Sequence, residues 1–140
     1  MEVIALRGKP SQGKSETLNT LFQFMLLFGY TQVNSTHYRV LGNPVGKDFL
    51  DIIEKKGKKV GFATMGDYGY GKQSVAILLN YLNTNGCDVA ICAWSTGVSG
   101  IKSAITAYPN HQIIKKSVAA IPADQRIKNG EDAEKIYKLL

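Results

Sequence analysis

Apolar positions along the chain fall alternately into strand-length runs and helix-spaced sets. Residues 1–7 form a short apolar run. Leu18, Leu21, Phe22, Phe24, Met25, Leu26 and Phe28 then fill a helix expected over 15–28. A second strand is read at 37–41, closed by Gly42-Asn43-Pro44. Phe49, Leu50, Ile52 and Ile53 stand at helical spacing and predict a helix over 47–56. Residues 59–65 predict a third strand that runs into Gly66-Asp67. A helix over 73–82 follows, with Val75, Ala76, Leu78, Leu79 and Leu82 on its apolar side and Asn85-Gly86 after it. The stretch 89–94 is nearly all apolar and predicts a strand buried on both faces. A helix over 100–108, a fifth strand over 111–117 and a final helix over 132–140 complete the pattern. Glu131 and Asp132 suit the positive N-terminus of that last helix.

Strands alternating with helices predict an α/β fold: three layers, α/β/α, around a mostly parallel five-stranded sheet. No linker or composition shift divides the 140 residues, so one domain over 1–140 is expected. In such sheets ligands bind at the carboxyl ends of the strands, which directs attention to the segments that leave those ends.

The first of these reads Gly8-Lys9-Pro10-Ser11-Gln12-Gly13-Lys14-Ser15 and fits G-x-x-x-x-G-K-[ST]. Gly8 and Gly13 allow a tight turn that brings bare backbone N–H groups up to phosphate oxygens. The following helix adds its positive N-terminus. Lys14 is expected to reach the β- and γ-phosphates and Ser15 to ligate Mg2+; Lys9, Pro10, Ser11, Gln12 and Glu16 complete the nucleotide-binding segment. Asp67, after the third strand, is a second candidate for Mg2+, directly or through water. Its plain alternative is a turn aspartate in Gly66-Asp67-Tyr68-Gly69. After the fourth strand, Ser95 or Thr96 is placed to offer a hydroxyl to the terminal phosphate, and Thr96 is counted with the nucleotide-binding set. Trp94 reads as core or as pocket wall, and Ser99 as a phosphate-facing residue or a helix cap. Gly66, Gly69, Gly71 and Lys72 repeat the G-x-x-x-x-G-K spacing, but Gln73 stands where Ser or Thr is needed. That stretch is either a glycine-rich turn or a mobile loop presenting Tyr68, Tyr70 or Lys72 to a ligand.

These features together resemble the P-loop NTPase superfamily, specifically at Gly8 to Ser15 and more loosely at Asp67. The segment 87–100 is also similar to small bacterial P-loop proteins. The resemblance implies Mg2+-dependent binding of a nucleoside triphosphate, usually ATP or GTP. It implies that the fourth strand neighbours the first and that the region of Arg126 lies beside the base, although a surface role is the default for Arg126. Departures narrow it. N-K-x-D and D-x-x-G are missing, which argues against a GTPase. No Glu follows Asp67, and Asp51, Glu54 and Asp88 are the acids left to replace it. Three arginines and a short chain offer little of the lid that excludes water in small-molecule kinases. The expected function is therefore ATP binding with slow hydrolysis or kinase-like phosphoryl transfer. Lys14 and Asp67 would be catalytic, and Ser15 and Asp67 would hold the metal. A non-enzymatic nucleotide-dependent switch or adaptor is the alternative, and a protein partner or second copy is a further expectation.

Charge adds a third, weaker reading. The net charge is +6 with pI near 9.3, and Lys55, Lys56, Lys58 and Lys59 surround Gly57. The cluster is either a solvated helix-to-strand turn or a patch for nucleic acid, and no aromatic residue interrupts it. Cys87 and Cys92 lie in or beside one strand, too far apart at about 3.3 Å per residue to bridge. His37 and His111 have no cysteine or histidine nearby in sequence and read as ordinary residues. Asn19 and Gln23 interrupt the apolar stretch 18–30, so it reads as a core helix rather than a leader. A cytoplasmic protein without a membrane partner is expected.

Overall fold

A computed structural model describes residues 1–42 and 47–140. Its strands are β1 (Glu2–Gly8), β2 (Thr31–Gln32), β3 (Arg39–Val40), β4 (Phe49–Lys55), β5 (Lys58–Ala63), β6 (Val89–Ser95) and β7 (His111–Lys115). Its helices are α1 (Lys14–Leu27), α2 (Val75–Thr84), α3 (Ile101–Thr106) and α4 (Gln125–Tyr137). The sheet runs β2-β4-β5-β6-β1-β7, with β3 also pairing β4. The pairs β5–β6, β6–β1 and β1–β7 are parallel, whereas β4 pairs antiparallel with β2, β3 and β5. The sheet is therefore mixed and seven-stranded, not the mostly parallel five-stranded sheet expected from the sequence.

The difference arises at residues 47–56, where the expected helix is the strand β4. Phe49 and Ile53 pack into one core cluster and Leu50 and Ile52 into the other. A strand buried on both faces carries apolar residues at consecutive positions, and over so short a run helix periodicity looks the same. β4 then turns directly into β5 through Lys56 and Gly57, whose φ angles of 51° and 79° suit a two-residue hairpin turn with both central residues left-handed. The lysine cluster is thus a hairpin tip, and no helix precedes it. Lys55 donates to the Phe28 carbonyl after α1, and Lys58 donates to the carbonyl of Leu140. The Lys55 ammonium satisfies a carbonyl left over at the end of α1, where cations are favoured.

Other boundaries move less. The strand expected at 37–41 shrinks to two residues behind a 3₁₀ turn, Ser35–His37; Asn43 and Pro44, expected to close it, lie outside the described residues. His37 shares a 2.6 Å hydrogen bond with the Tyr81 hydroxyl, and the Arg39 guanidinium lies 4.1 Å from the Tyr81 ring centre, so this segment is held against α2. α2 starts two residues later than expected because Ser74 caps it, accepting from the Ile77 N–H.

Two cores sandwich the sheet. Leu18, Leu21, Phe22 and Met25 of α1 pack with Ala133 and Ile136 of α4 against Ile4, Leu6, Phe62 and Ile91. Leu78, Leu79 and Leu82 of α2 and Ile101 and Ile105 of α3 cover Val3, Ala5, Ala90 and Cys92 on the other face. Phe22 meets Phe49 and Phe62 edge-on at 4.8 and 5.2 Å between ring centres, a favourable arrangement for aromatic pairs. Burial pushes the Cys87 thiol up to about 11 and the Cys92 thiol to about 12, and both cysteines are free. No helix among the described residues is long and apolar enough to cross a membrane.

Candidate functional site

β1 delivers Gly8 to the carboxyl end of the sheet, and α1 begins at Lys14, so residues 9–13 form a loop between them. Left-handed backbone at Ser11 (φ 64°) and Gly13 (φ 90°) folds that loop back on itself. Only glycine suits position 13 on two counts: its φ, and a space where an added Cβ would lie 2.7 Å from the Asn129 side-chain oxygen. Gln12 accepts from the Lys9 N–H at 2.7 Å and closes the turn. The Lys14 ammonium bends over the loop and donates to the Lys9 carbonyl at 2.7 Å. Lys14 is buried. Burial draws its ammonium below the ordinary lysine value; Asp67 and Asp48 act against that shift, and Lys116 adds to it. An ammonium has three N–H donors, so one bond to Lys9 leaves donors free for an anion.

Two carboxylates face this lysine from different strands. Beyond β5 the chain is held to β6 where the Ser95 N–H donates to the Gly66 carbonyl at 3.0 Å. That places Asp67 beside β6, and the Ser95 hydroxyl donates to its carboxylate at 2.7 Å. Asp48, just ahead of β4, accepts from the Ser15 hydroxyl at 2.6 Å and from the Thr64 hydroxyl at 3.0 Å. Lys14, Ser15, Thr64 and Asp67 line a cleft of about 670 Å³, floored by Ala93 and Val98. Sequence reasoning missed Asp48 because it stood at the head of the supposed helix. A hairpin reading would have found it, since pairing Leu50 with Ala63 puts Asp48 at the same sheet end as Asp67.

The donors on offer are hydroxyl and carboxylate oxygens, the chemistry of hard cations such as Mg2+. Among the described residues no group of three or more His, Cys, Asp and Glu gathers to hold a metal by itself. The set therefore fits an ion that keeps water and takes further oxygens from its ligand, as Mg2+ does.

Behind the loop stands a polar stripe of α4, a helix that begins at Gln125 rather than at Asp132 as expected. The Gln125 amide donates to Asn129 at 2.9 Å and to the Ser117 carbonyl at 3.2 Å. Asn129 reaches Glu16 at 3.3 Å. Asp132 accepts from the Ser117 N–H (2.8 Å), the Ser117 hydroxyl (2.7 Å) and the Lys116 ammonium (3.0 Å), and the side chains of Lys116 and Asp132 have no exposed surface. Burial pushes the Asp132 carboxyl up. The Ser117 and Lys116 hydrogen bonds and the lysine charge outweigh that and hold it below the usual carboxylate value. The stripe recurs at i, i+4 and i+7, a helical spacing carried by polar residues that a search for apolar periodicity passes over.

The remaining candidates disperse. Pro10, Ser11, Gly13 and Glu16 line the cleft. Gly8, Lys9, Gln12 and Thr96 line a neighbouring cavity, and the Thr96 N–H donates to the Gly8 carbonyl at 3.0 Å. Trp94 is buried beneath the Arg7 guanidinium, and Gly100, not Ser99, caps α3. Arg126 is exposed and lines a hollow with Glu16 and Asn19. Asp51 is buried and accepts from Gln32, Glu54 pairs across the sheet with Lys59, and Asp88 accepts from the Lys59 N–H; none of these three lines the cleft. His111 donates to the Tyr108 carbonyl. Tyr68 and Tyr70 are exposed on the loop after Asp67, and Lys72 precedes α2 without entering a helix N-terminus as Lys14 does. Set against family models, curated proteins and solved structures, the chain matches none.

Proposed function

We propose that the chain is a P-loop NTPase-like protein that binds a nucleoside triphosphate, ATP first among them, with Mg2+, and that it hydrolyses or transfers the terminal phosphoryl group slowly. One observation carries the reading: a buried lysine ammonium, a helix-start serine hydroxyl and the carboxylate of the loop after β5 converge on one cleft at the carboxyl ends of β1 and β5. Backbone N–H groups of residues 11–15, at the start of α1, supply the cradle for phosphate. Lys14 exchanges its bond to Lys9 for oxygens of the β- and γ-phosphates. Ser15 and Asp67 would hold Mg2+, which neutralises charge on the phosphate oxygens when bound. Ser95 fixes the rotamer of Asp67. Asp48 accepts from the Ser15 and Thr64 hydroxyls and so orients Ser15 toward the cleft.

A nucleotide-dependent switch without turnover is the second reading, favoured by the exposed Tyr68 and Tyr70 directly after Asp67. Calorimetric titration of ATP, GTP and ADP tests the common core of both readings. ATP binding by the wild type is expected to tighten at least tenfold with Mg2+. Asp67→Asn is expected to lose most of that gain without weakening Mg2+-free binding, since it removes a carboxylate that repels the phosphates when the ion is absent. Equal affinity with and without the ion in the wild type would remove Asp67 and Ser15 from the proposed roles.

A further inference from the structure

The loop that walls the cleft has a second cavity on its other side. It measures about 840 Å³ and is lined by Arg7, Lys9, Lys115 and Lys135 together with Gln12 and Thr96. Arg7 and Lys115 are register partners on the parallel strands β1 and β7, so two cations stand side by side on one face of the sheet. Like charges directly opposite on neighbouring strands destabilise a sheet. Here nothing offsets them: among the described residues, no Asp or Glu lies within ion-pair distance of Arg7, Lys9, Lys115 or Lys135. The nearby Lys116 is different, because Asp132 neutralises it. Arg7 is also held in place, its guanidinium 4.9 Å from the centre of the Trp94 ring, which presents a planar donor edge without further ordering.

We propose that this cavity is a second anion site, separate from the triphosphate cleft, for a small organic ligand bearing two or more phosphate groups. Its size falls within the range of about 300–1,000 Å³ usual for small-molecule sites. Four unneutralised cations in a concave space focus a positive field on a multiply charged ligand. Nucleic acid suits the surface less well. The other lysine cluster lies at the opposite end of the sheet, at the β4–β5 turn, with two of its ammonium groups turned onto carbonyls. The cavity also lacks exposed aromatic rings on which bases would stack.

Inorganic pyrophosphate, titrated calorimetrically at low ionic strength, tests the site. The wild type is expected to bind two equivalents. Lys14→Ala should lose one. The double variant Lys115→Glu/Lys135→Glu, at two exposed positions, should weaken the other at least tenfold and keep the Lys14-dependent one. Lys115→Arg/Lys135→Arg should retain both. A single site that depends on Lys14 alone overturns the proposal, and so does an equal weakening of both sites in the Glu variant. A single-stranded oligonucleotide that displaces pyrophosphate from the Lys115-dependent site, with an affinity falling steeply with salt, would assign the surface to nucleic acid instead and likewise overturn it. A wild type that binds one equivalent, weakened by Lys115→Glu/Lys135→Glu and unaffected by Lys14→Ala, would sink the triphosphate reading and leave this one standing.

Discussion

Replacing Asp132 by Ala is expected to lower the free energy of unfolding by about 3–5 kcal/mol, the range found when one partner of a buried ion pair is removed. The substitution leaves the Lys116 ammonium without a counter-charge in a place where its side chain has no exposed surface. It also strips the Ser117 N–H and hydroxyl of their acceptor. Urea unfolding followed by circular dichroism measures the loss. A paired replacement, Lys116→Met with Asp132→Leu, is expected to recover the part that comes from the unpaired ammonium, because apolar residues of similar volume often match a buried pair, while the Ser117 donors stay without their acceptor. The sign of the pH dependence follows from the direction of the shift. Asp132 has a folded-state value below the unfolded one, so its stabilisation is complete above the unfolded value, about 3.9. It is lost as pH falls through the folded value. The wild type should therefore lose stability more steeply than Asp132→Ala below about pH 4. Parallel acid profiles for the two proteins would remove this carboxylate from the account.

Lys14→Ala is the substitution with the largest expected effect on binding. Hydrogen bonds to charged groups are worth roughly 1.5–3 kcal/mol each. A lysine that touches both the β- and γ-phosphates therefore accounts for about 3 kcal/mol or more, a fall in ATP affinity of roughly a hundredfold. Stability should respond in the opposite sense. Burial disfavours the charged form of Lys14 in the folded chain, so removing the ammonium is expected to leave the melting temperature unchanged or raised. That split, affinity lost and stability kept, separates a binding lysine from a structural one. Unchanged ATP affinity in Lys14→Ala would contradict its role, whatever the melting temperature does.

The parts of the site legible in the sequence are those whose function is local. Residues 8–15 carry their own turn chemistry, and β1 and α1 flank them within one residue of the expected bounds. Asp67 was legible because it follows the third expected strand on the side where ligands bind in such sheets, although β5 itself stops at Ala63. Asp48 was not, because its place depends on the pairing of β4 with β5, and the residues that decide it read equally as helix or as a doubly buried strand. Gln125, Asn129 and Asp132 were not, because the face that α4 turns toward the loop is polar, and apolar spacing is the usual signal for a helix. The lysine cluster was legible as charge but not as purpose; two of its members satisfy carbonyls far away in sequence.

The most direct test is a titration of ¹⁵N-labelled wild-type protein with Mg2+–ATP, followed by the backbone amide resonances. Saturable shifts at residues 11–15, Asp67 and Ser95 that persist in the Lys115→Glu/Lys135→Glu variant are the expected result. Shifts confined to the Lys115 side of the loop, or none at saturating nucleotide, would contradict a triphosphate site between β1 and α1.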